Sequence, residues 1–255
     1  MEITMISDFH IHTNFSFDSK ADMEKYIQTA IEKNMYSVCF TDHVDLNKND
    51  DGYKFYNPQK YFEDLNRLKE KYANQIKVYS GIEFGEPHVY TEDFKYLSAL
   101  PYDFIIGSVH WMGDMFPCKE KYSAKEYFSV YWEEVMNTVK HGGFDSLGHV
   151  DFPKRYFGEM YYSEEKVREI FKLLLDKDMV IEINTSSLRK GLNETMPGRE
   201  MLALYRDCGG KYVTIGSDAH EEKDVGADNA FAKELVKEFE LQEVIYEKRN
   251  RITVK

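Results

Sequence analysis

Two histidines two positions apart, His10 and His12, end an apolar run near the start of the chain, and Asp18 follows them. Because side chains alternate along a strand, the two imidazoles face the same way if this run is a strand. Imidazole and carboxylate groups are ligands of divalent transition metals. A histidine pair is nevertheless more often hydrogen-bonded at a surface than bound to a metal, so the rest of the chain must decide.

The same residue types recur at the ends of later apolar runs. Seven short runs are typical of buried parallel strands, and they span residues 3–10, 36–42, 77–84, 103–110, 144–150, 179–184 and 212–218. The groups at the ends of the second to seventh runs are, in order, Asp42 with His43, Glu83, His110, His149, Asn184, and Asp218 with His220. Six of the eight histidines therefore stand at predicted strand ends. The other two, His88 and His141, are interpreted as a loop residue and a helix C-terminal residue.

Amphipathic segments separate these strands and must position them. Residues 123–126, SAKE, have the pattern of a capping box before a long helix, and Gly142 with Gly143 can end that helix. Seven strand–helix units without a linker predict a single α/β domain over residues 1–255, with a parallel sheet that is open or closed into a barrel. In such folds the carboxyl ends of the strands meet on one face, which carries the active site.

Composition limits the classes of partner. The 255 residues carry 33 basic and 45 acidic side chains, a formal charge of −12, which disfavours nucleic acid and anionic membranes as partners. An anionic small molecule could bind only at a local cationic site. Three widely spaced cysteines, no signal-peptide pattern and no long apolar run predict a cytoplasmic protein.

Nine candidate ligands on one face are too many for one ion. The set comprises His10, His12, Asp18, His43, Glu83, His110, His149, Asp218 and His220. Its mixture of imidazole and carboxylate suits zinc, manganese or iron, and several ions would share a bridging carboxylate. The alternative, histidines that only stabilise strand ends, requires repeated coincidence, and so many buried polar groups would be costly without an ion.

Six short motifs carry a family resemblance. In chain order they are DFHIHT, TDH, GIE, GSVH, GHVD and GSDAH, from residue 8 to about 226. Together they resemble the metal-binding blocks of the polymerase and histidinol phosphatase (PHP) superfamily. The stretches INTSSLRKG at 183–191 and GSDAHEEKDVG at 216–226 also resemble its histidinol-phosphate phosphatase branch.

This resemblance implies a distorted seven-stranded, TIM-like (βα)7 barrel with a trinuclear metal centre at the carboxyl ends of the strands. By analogy, one metal takes His10, His12, Glu83 and Asp218. A second shares Glu83 and adds His110 and His149, and the third takes Asp18, His43 and His220. Many relatives have a histidine where Asp18 stands, and a harder carboxylate ligand would favour a harder ion at the third site.

The implied reaction is hydrolysis of a small phosphate monoester, L-histidinol phosphate, in histidine biosynthesis. A metal-bridging hydroxide would attack phosphorus, and Asp218 or His220 is the candidate acid for the leaving oxygen. The alternatives are a PHP-type phosphatase acting on nucleotides or phosphotyrosine, an exonuclease, a metallohydrolase of amides or lactones, and a barrel that only supports a partner. The acidic composition opposes an exonuclease, and the intact ligand set opposes a purely structural role.

Residues outside the ligand set give the remaining predictions. Arg155 and Arg189 follow the fifth and sixth predicted strands and are predicted to bind phosphate, although each could be a solvated surface charge. An acidic wall would suit the substrate ammonium group, and Trp111 could line the pocket or simply be buried. The basic run EKRNR at 247–251 is interpreted as the solvated end of a helix.

Overall fold

The computed structural model describes residues 6–254, so residues 3–5 of the first predicted strand lie outside the described part. Within it, nine strands form one sheet in chain order. The first eight pair in parallel and the ninth pairs antiparallel to the eighth. The strands are β1 Ser7–Ile11, β2 Ser37–Val44, β3 Lys77–Gly85, β4 Phe104–Ser108, β5 Ser146–Leu147, β6 Val180–Asn184, β7 Tyr212–Gly216, β8 Gln242–Glu247 and β9 Asn250–Thr253. The architecture is thus an α/β fold dominated by parallel strands, as predicted.

Helices connect the parallel strands and pack their apolar faces on the sheet. They are α1 Met23–Glu32, α2 Pro58–Tyr72, α3 Thr91–Ser98, α4 Ala124–His141, α5 Lys154–Phe157, α6 Glu164–Asp176, α7 Ser186–Arg189, α8 Arg199–Asp207 and α9 Asn229–Glu238. The predicted capping box is present at the start of α4, where Ser123 and Glu126 bond each other's backbone amides, and Gly142 ends the helix with φ 69°. None of the described helices has the length and apolar character needed to cross a membrane.

The fifth strand is shorter than predicted. The ladder covers only Ser146 and Leu147 of the predicted 144–150. The backbone amide of His149 donates to the Glu182 carboxylate at 2.9 Å, so the chain leaves the sheet there and turns into α5.

The interpretation of EKRNR as a helix end is wrong, because these residues lie in the β8–β9 hairpin. Lys248 and Arg249 form its turn with φ values of 51° and 62°. The Arg249 guanidinium lies 2.5 Å from a carboxylate oxygen of Asp145 and also donates to the carbonyl of Gly143. The hairpin therefore covers the amino ends of β4 and β5, and it brings the strand number to nine instead of the predicted seven.

Asp103 organises this amino-terminal end. Its carboxylate accepts the Ser80 amide at 2.9 Å, the Ser80 hydroxyl at 3.0 Å and the Lys248 amide at 3.0 Å, and it pairs with Lys69 at 3.1 Å. Burial alone would raise the pKa of Asp103, but these donors lower it below its usual value.

The first and seventh strands meet at their carboxyl ends. Ile11 and Ala219 form an isolated parallel bridge, in which the His12 amide donates to the carbonyl of Ala219 at 2.9 Å. The amide of Asp218 donates to the carbonyl of His10 at 2.8 Å. At this point a Cβ on Gly216 would lie 2.3 Å from Cβ of His10, so only glycine permits the close approach. The two histidines and Asp218 are thereby brought side by side.

Candidate metal centre

Glu83 lies at the middle of the histidine cluster. Its side chain, 1% exposed at the carboxyl end of β3, has its Oε2 within 3.1 Å of His10 Nε2 and of His43 Nδ1. Its Oε1 lies 3.2 Å from His110 Nε2 and 2.8 Å from His149 Nε2. One carboxylate on a central strand thus faces imidazoles from β1, β2, the end of β4 and the segment after β5, the position required of a bridging ligand.

Asp218 forms a second focus beside the first. Its Oδ1 lies 3.3 Å from His12 Nε2, and its Oδ2 accepts a 2.6 Å bond from the guanidinium of Arg155. Ser186 donates to the same Oδ2 at 2.9 Å. Asp218 has φ 54°, which turns its side chain from the end of β7 towards β1. One oxygen therefore faces the histidines while the other is held by a cation and a hydroxyl group.

The remaining predicted ligands lie at the outer edge of the cluster. The Oδ2 atom of Asp18 is 2.9 Å from His220 Nε2 and 3.8 Å from His43 Nε2. The side chain of Asp18 is 52% exposed, whereas that of His220 is 25% exposed. All nine predicted ligands therefore converge, and the third predicted group is the most accessible to solvent.

The buried ionisable groups of the cluster shift one another's pKa values. Burial lowers the pKa of His10, but the carboxylates of Glu182 and Glu83 raise it well above its usual value. The pKa of His43 is raised to about 10, because nearby carboxylates outweigh its burial. Burial and the neighbouring histidines push the pKa of His12 well below normal. The carboxylates of the cluster thus stabilise protonated imidazoles, and metal ions could replace those protons.

The donor set fits metal ions. The buried atoms His12 Nε2, His43 Nδ1 and His149 Nδ1 have no hydrogen-bond partner among the described residues. Four groups bring three ligand atoms within 4.8 Å of one another, namely His12–His43–His220, His10–His12–Asp218, His10–Glu83–His149 and His43–Glu83–His110. Asp18 belongs to none of these four groups. Neutral imidazole and carboxylate at this spacing are the donors that zinc and related ions bind.

Glu182 is a functional residue that sequence reasoning missed. It is 1% exposed in the middle of β6, its Oε1 lies 2.6 Å from His10 Nδ1, and its Oε2 accepts the His149 amide. A carboxylate on the far nitrogen of a ligating histidine fixes the ring and its tautomer. The available signal was a single charged residue inside the otherwise apolar run MVIEIN.

Asp42, which lies on β2 next to His43, supports the cluster in a similar way. It accepts the Thr13 amide at 2.6 Å and the Ser16 hydroxyl at 2.8 Å, and the same hydroxyl accepts the His43 amide. Burial raises the pKa of Asp42 to about 6, despite these donors. The carboxylate of the TDH motif thus ties the loop after His12 to the strand that carries His43.

The cluster opens into a cavity of about 620 Å³. Arg155 lines this cavity with a side chain that is only 9% exposed. Arg189 is not among the lining residues. Its guanidinium donates to the carbonyl of Ser217, with Asp224 and Asp228 at 3.7 Å. The adjacent residue, Lys190, lines the cavity instead and was not singled out from the sequence.

Comparison with known proteins shows the family of this chain. The PHP domain model matches residues 8–186. A probable histidinol-phosphatase of Clostridium acetobutylicum is 33% identical, with 96% of this chain and 98% of that protein aligned. The histidinol-phosphatase of Lactococcus lactis subsp. lactis is 29% identical, with 85% of this chain and 84% of that protein aligned.

A solved structure shows the same similarity in three dimensions. It is histidinol phosphate phosphatase from Lactococcus lactis subsp. lactis, complexed with zinc, L-histidinol and phosphate. Its TM-score is 0.86 at 25% identity, over 97% of this chain and 98% of that chain. The resemblance seen in the sequence motifs is confirmed, and the chain belongs to the PHP domain family, in its histidinol-phosphatase branch.

Proposed function

We propose that this protein is a metal-dependent phosphomonoesterase that hydrolyses L-histidinol phosphate to L-histidinol and phosphate. The observation that carries the proposal is the central Glu83, which faces histidines from four segments at the base of a cavity. Relatives aligned over nearly the whole chain are histidinol-phosphatases, and a structural neighbour holds zinc, L-histidinol and phosphate.

The nine convergent side chains are the proposed metal ligands. We propose that His10, His12, Glu83 and Asp218 hold one ion, and that Glu83, His110 and His149 hold a second. Asp18, His43 and His220 would hold the third. The zinc in the structural neighbour supports zinc as one occupant. Such ions would supply hydroxide from water at neutral pH and neutralise the charge of the phosphate group.

The protein's own residues would orient the substrate and move a proton. Arg155 is held by Asp218 and Ser186 at the wall of the cavity, so its guanidinium is preorganised to donate hydrogen bonds to phosphate oxygens. His220 lines the cavity and is partly exposed, which supports it as a proton donor to the leaving oxygen. Asp218 is the alternative donor, and Arg189 stays a predicted phosphate ligand that lies outside the cavity lining.

We also propose a closed barrel, a single domain, a cytoplasmic location and a small phosphorylated substrate. The bridge between β1 and β7 supports a distorted TIM-like barrel within the nine-stranded sheet, and the PHP match over residues 8–186 supports one domain over residues 1–255. The three cysteines are free, in agreement with a reducing, cytoplasmic location. The formal charge of −12 supports a small phosphorylated substrate rather than nucleic acid or a membrane.

The deciding experiment measures phosphate release by the metal-loaded protein. We expect a higher kcat/KM for L-histidinol phosphate than for a nucleoside monophosphate, phosphotyrosine, a phosphodiester or an amide. A preference for any of these other substrates would overturn the proposed function. Removal of the metals with a strong chelator should abolish turnover, and zinc or manganese should restore it.

A further inference from the structure

Glu86, which follows β3, is a buried carboxylate without a role in the proposed reaction. Its residue is 3% exposed, and it does not line the cavity at the metal cluster. Within residues 6–254, no lysine, arginine or histidine forms an ion pair with it. Burial raises its pKa to about 7. A carboxylate is costly in such a place, so the interactions that it makes there need an explanation.

The Glu86 carboxylate holds the segment that carries His110. Its Oε1 accepts the backbone amide of His110 at 2.6 Å and that of Trp111 at 2.9 Å. Since β4 ends at Ser108, neither amide belongs to the strand ladder. No other acceptor for these two amides lies among the described residues. One side-chain oxygen therefore replaces the ladder beyond the end of β4, directly at a proposed metal ligand.

The backbone of Glu86 is fixed on both sides. Its amide donates to the carbonyl of Ser108 at 2.9 Å, and its own carbonyl accepts the amide of Val89 at 2.9 Å. Its φ is 51°, in the left-handed region that residues other than glycine rarely adopt. Such a conformation persists only where the surroundings enforce it, and here it accompanies the contact with the backbone of His110.

His88 attaches the same turn to α4. Its Nε2 lies 2.6 Å from Oε2 of Glu134, and its Nδ1 lies 2.9 Å from the hydroxyl oxygen of Thr138. Both ring nitrogens thus contact one helix, and Pro87 restricts the backbone between them and Glu86. The turn at residues 86–88 is therefore anchored to β4 on one side and to α4 on the other, which makes it a firm support.

We propose that Glu86 is a positioning residue that places His110 at the second proposed metal site. Its two hydrogen bonds fix the backbone of His110, and the backbone determines where the imidazole Nε2 lies, 3.2 Å from Oε1 of Glu83. What matters is the position of one acceptor oxygen and not the charge of the carboxylate. The inference rests on the proposed function and deepens it, because it assigns the support of one metal ligand to a residue outside the cavity.

A matched pair of variants tests the role of this oxygen. Glu86→Gln keeps an acceptor for the two amides, and its NH2 group replaces Oε2, which accepts no hydrogen bond within residues 6–254. Glu86→Met has a similar length but no strong acceptor. In zinc competition with a chromophoric chelator, Glu86→Met should bind one zinc equivalent at least roughly tenfold more weakly than Glu86→Gln. Equal affinities in the two variants would overturn the proposal.

The same pair in a His110→Ala background tests whether the effect passes through His110. Without the imidazole, the Gln and Met variants should bind zinc equally. A tenfold difference that persists there would mean that Glu86 acts on another part of the centre.

Hydrogen exchange of the wild-type protein tests the contact without any substitution. The backbone amides of His110 and Trp111 should exchange at least roughly tenfold more slowly than unprotected amides. Exchange at the unprotected rate would show that Glu86 does not hold them, and would overturn the proposal.

These tests separate the role of Glu86 from the proposed function. If His110→Ala binds zinc as the wild-type protein does, the second metal site and the role of Glu86 are both wrong. If the zinc results hold but the wild-type protein does not hydrolyse L-histidinol phosphate, the proposed substrate is wrong and the role of Glu86 stands.

Discussion

Polar side chains are buried at both ends of the parallel strands. At the amino ends, Asp103 is surrounded by donors from Ser80, Lys248 and Lys69. At the carboxyl ends, buried nitrogen atoms of His12 and His149 have no hydrogen-bond partner within residues 6–254, and Glu83 faces several imidazoles at once. Burial of charge by itself therefore does not mark a functional site. The surroundings of Asp103 and of Glu83 differ in how many hydrogen-bond partners their buried polar groups find, and a cluster of buried ligand atoms that lack partners is arranged for a ligand.

Glu83→Gln should have the largest effect on activity. It removes the carboxylate shared by two of the proposed metal sites, so kcat/KM for L-histidinol phosphate should fall by roughly 10³-fold or more. Elemental analysis should show less than the wild-type metal content. Wild-type turnover by this variant would place the reactive centre elsewhere.

Arg155→Ala should lower kcat/KM by about 10²-fold, because a preorganised charged donor to the phosphate is lost. Its two bonds to Asp218 and Ser186 are also lost, so metal content must be measured in parallel. Arg155→Lys should recover only part of the activity, since an ammonium group cannot form the bidentate contact. Arg189→Ala is the natural comparison, and a loss confined to Arg189→Ala would reverse the assignment.

Glu182→Gln should weaken metal affinity or activity by roughly tenfold or more, the usual effect of altering a carboxylate behind a ligating histidine. The amide keeps the shape of the side chain, so the expected change is in metal affinity rather than in folding. Zinc competition with a chromophoric chelator measures it. Unaltered zinc affinity would show that His10 needs no orienting carboxylate.

Zinc binding should release protons, and its apparent affinity should rise with pH. The pKa of His43 is about 10 in the metal-free protein and that of His10 is also raised, so both imidazoles carry protons at neutral pH that a metal must displace. Affinity therefore increases from pH 6 to pH 8, by up to about tenfold per pH unit for each proton displaced. Calorimetry in two buffers of different ionisation enthalpy counts the protons. A heat that is independent of the buffer would contradict the predicted protonation.

Asp103→Asn should have the smallest effect on catalysis. The free energy of unfolding should fall by about 1–3 kcal/mol because buried donors lose their charged acceptor, while kcat/KM stays at the wild-type value. Urea unfolding and steady-state kinetics of the same preparation give both values. A large kinetic effect would mean that the two ends of the sheet are coupled.

That the candidate ligands lie on one face could be predicted from sequence, because parallel strands put their carboxyl ends on the same edge of the sheet. That His10 and His220 are neighbours also requires the sheet to curl until β1 meets the end of β7, as the bridge between Ile11 and Ala219 shows. The parallel topology does not determine which role each residue plays inside the centre.

Other features depend on details that the sequence pattern does not contain. Arg189 ends the four-residue helix α7 and Lys190 follows it, so the direction in which the chain leaves this helix decides which of the two side chains faces the cavity. Glu182 lies in an apolar strand. The register of β6 in the sheet decides whether its side chain reaches His10, and the sequence pattern does not give that register. The turn of the β8–β9 hairpin uses Lys248 and Arg249 at positive φ rather than the glycine or asparagine typical of such turns, so its pattern gave no hairpin signal.

The bridge between β1 and β7 has a mechanical consequence. Among the described residues, few backbone hydrogen bonds join these strands. The contacts link distant parts of the chain, as the bond from the Ser217 amide to the Asp8 carboxylate, 209 residues apart, illustrates. A metal held by His12 and Asp218 would act as a cross-link that closes a loop of nearly the whole chain, which reduces the entropy of the unfolded state as a disulfide does. The fraction of protein with metal bound would then determine how often β1 and β7 separate. Hydrogen exchange of backbone amides near Ala219 would measure this opening.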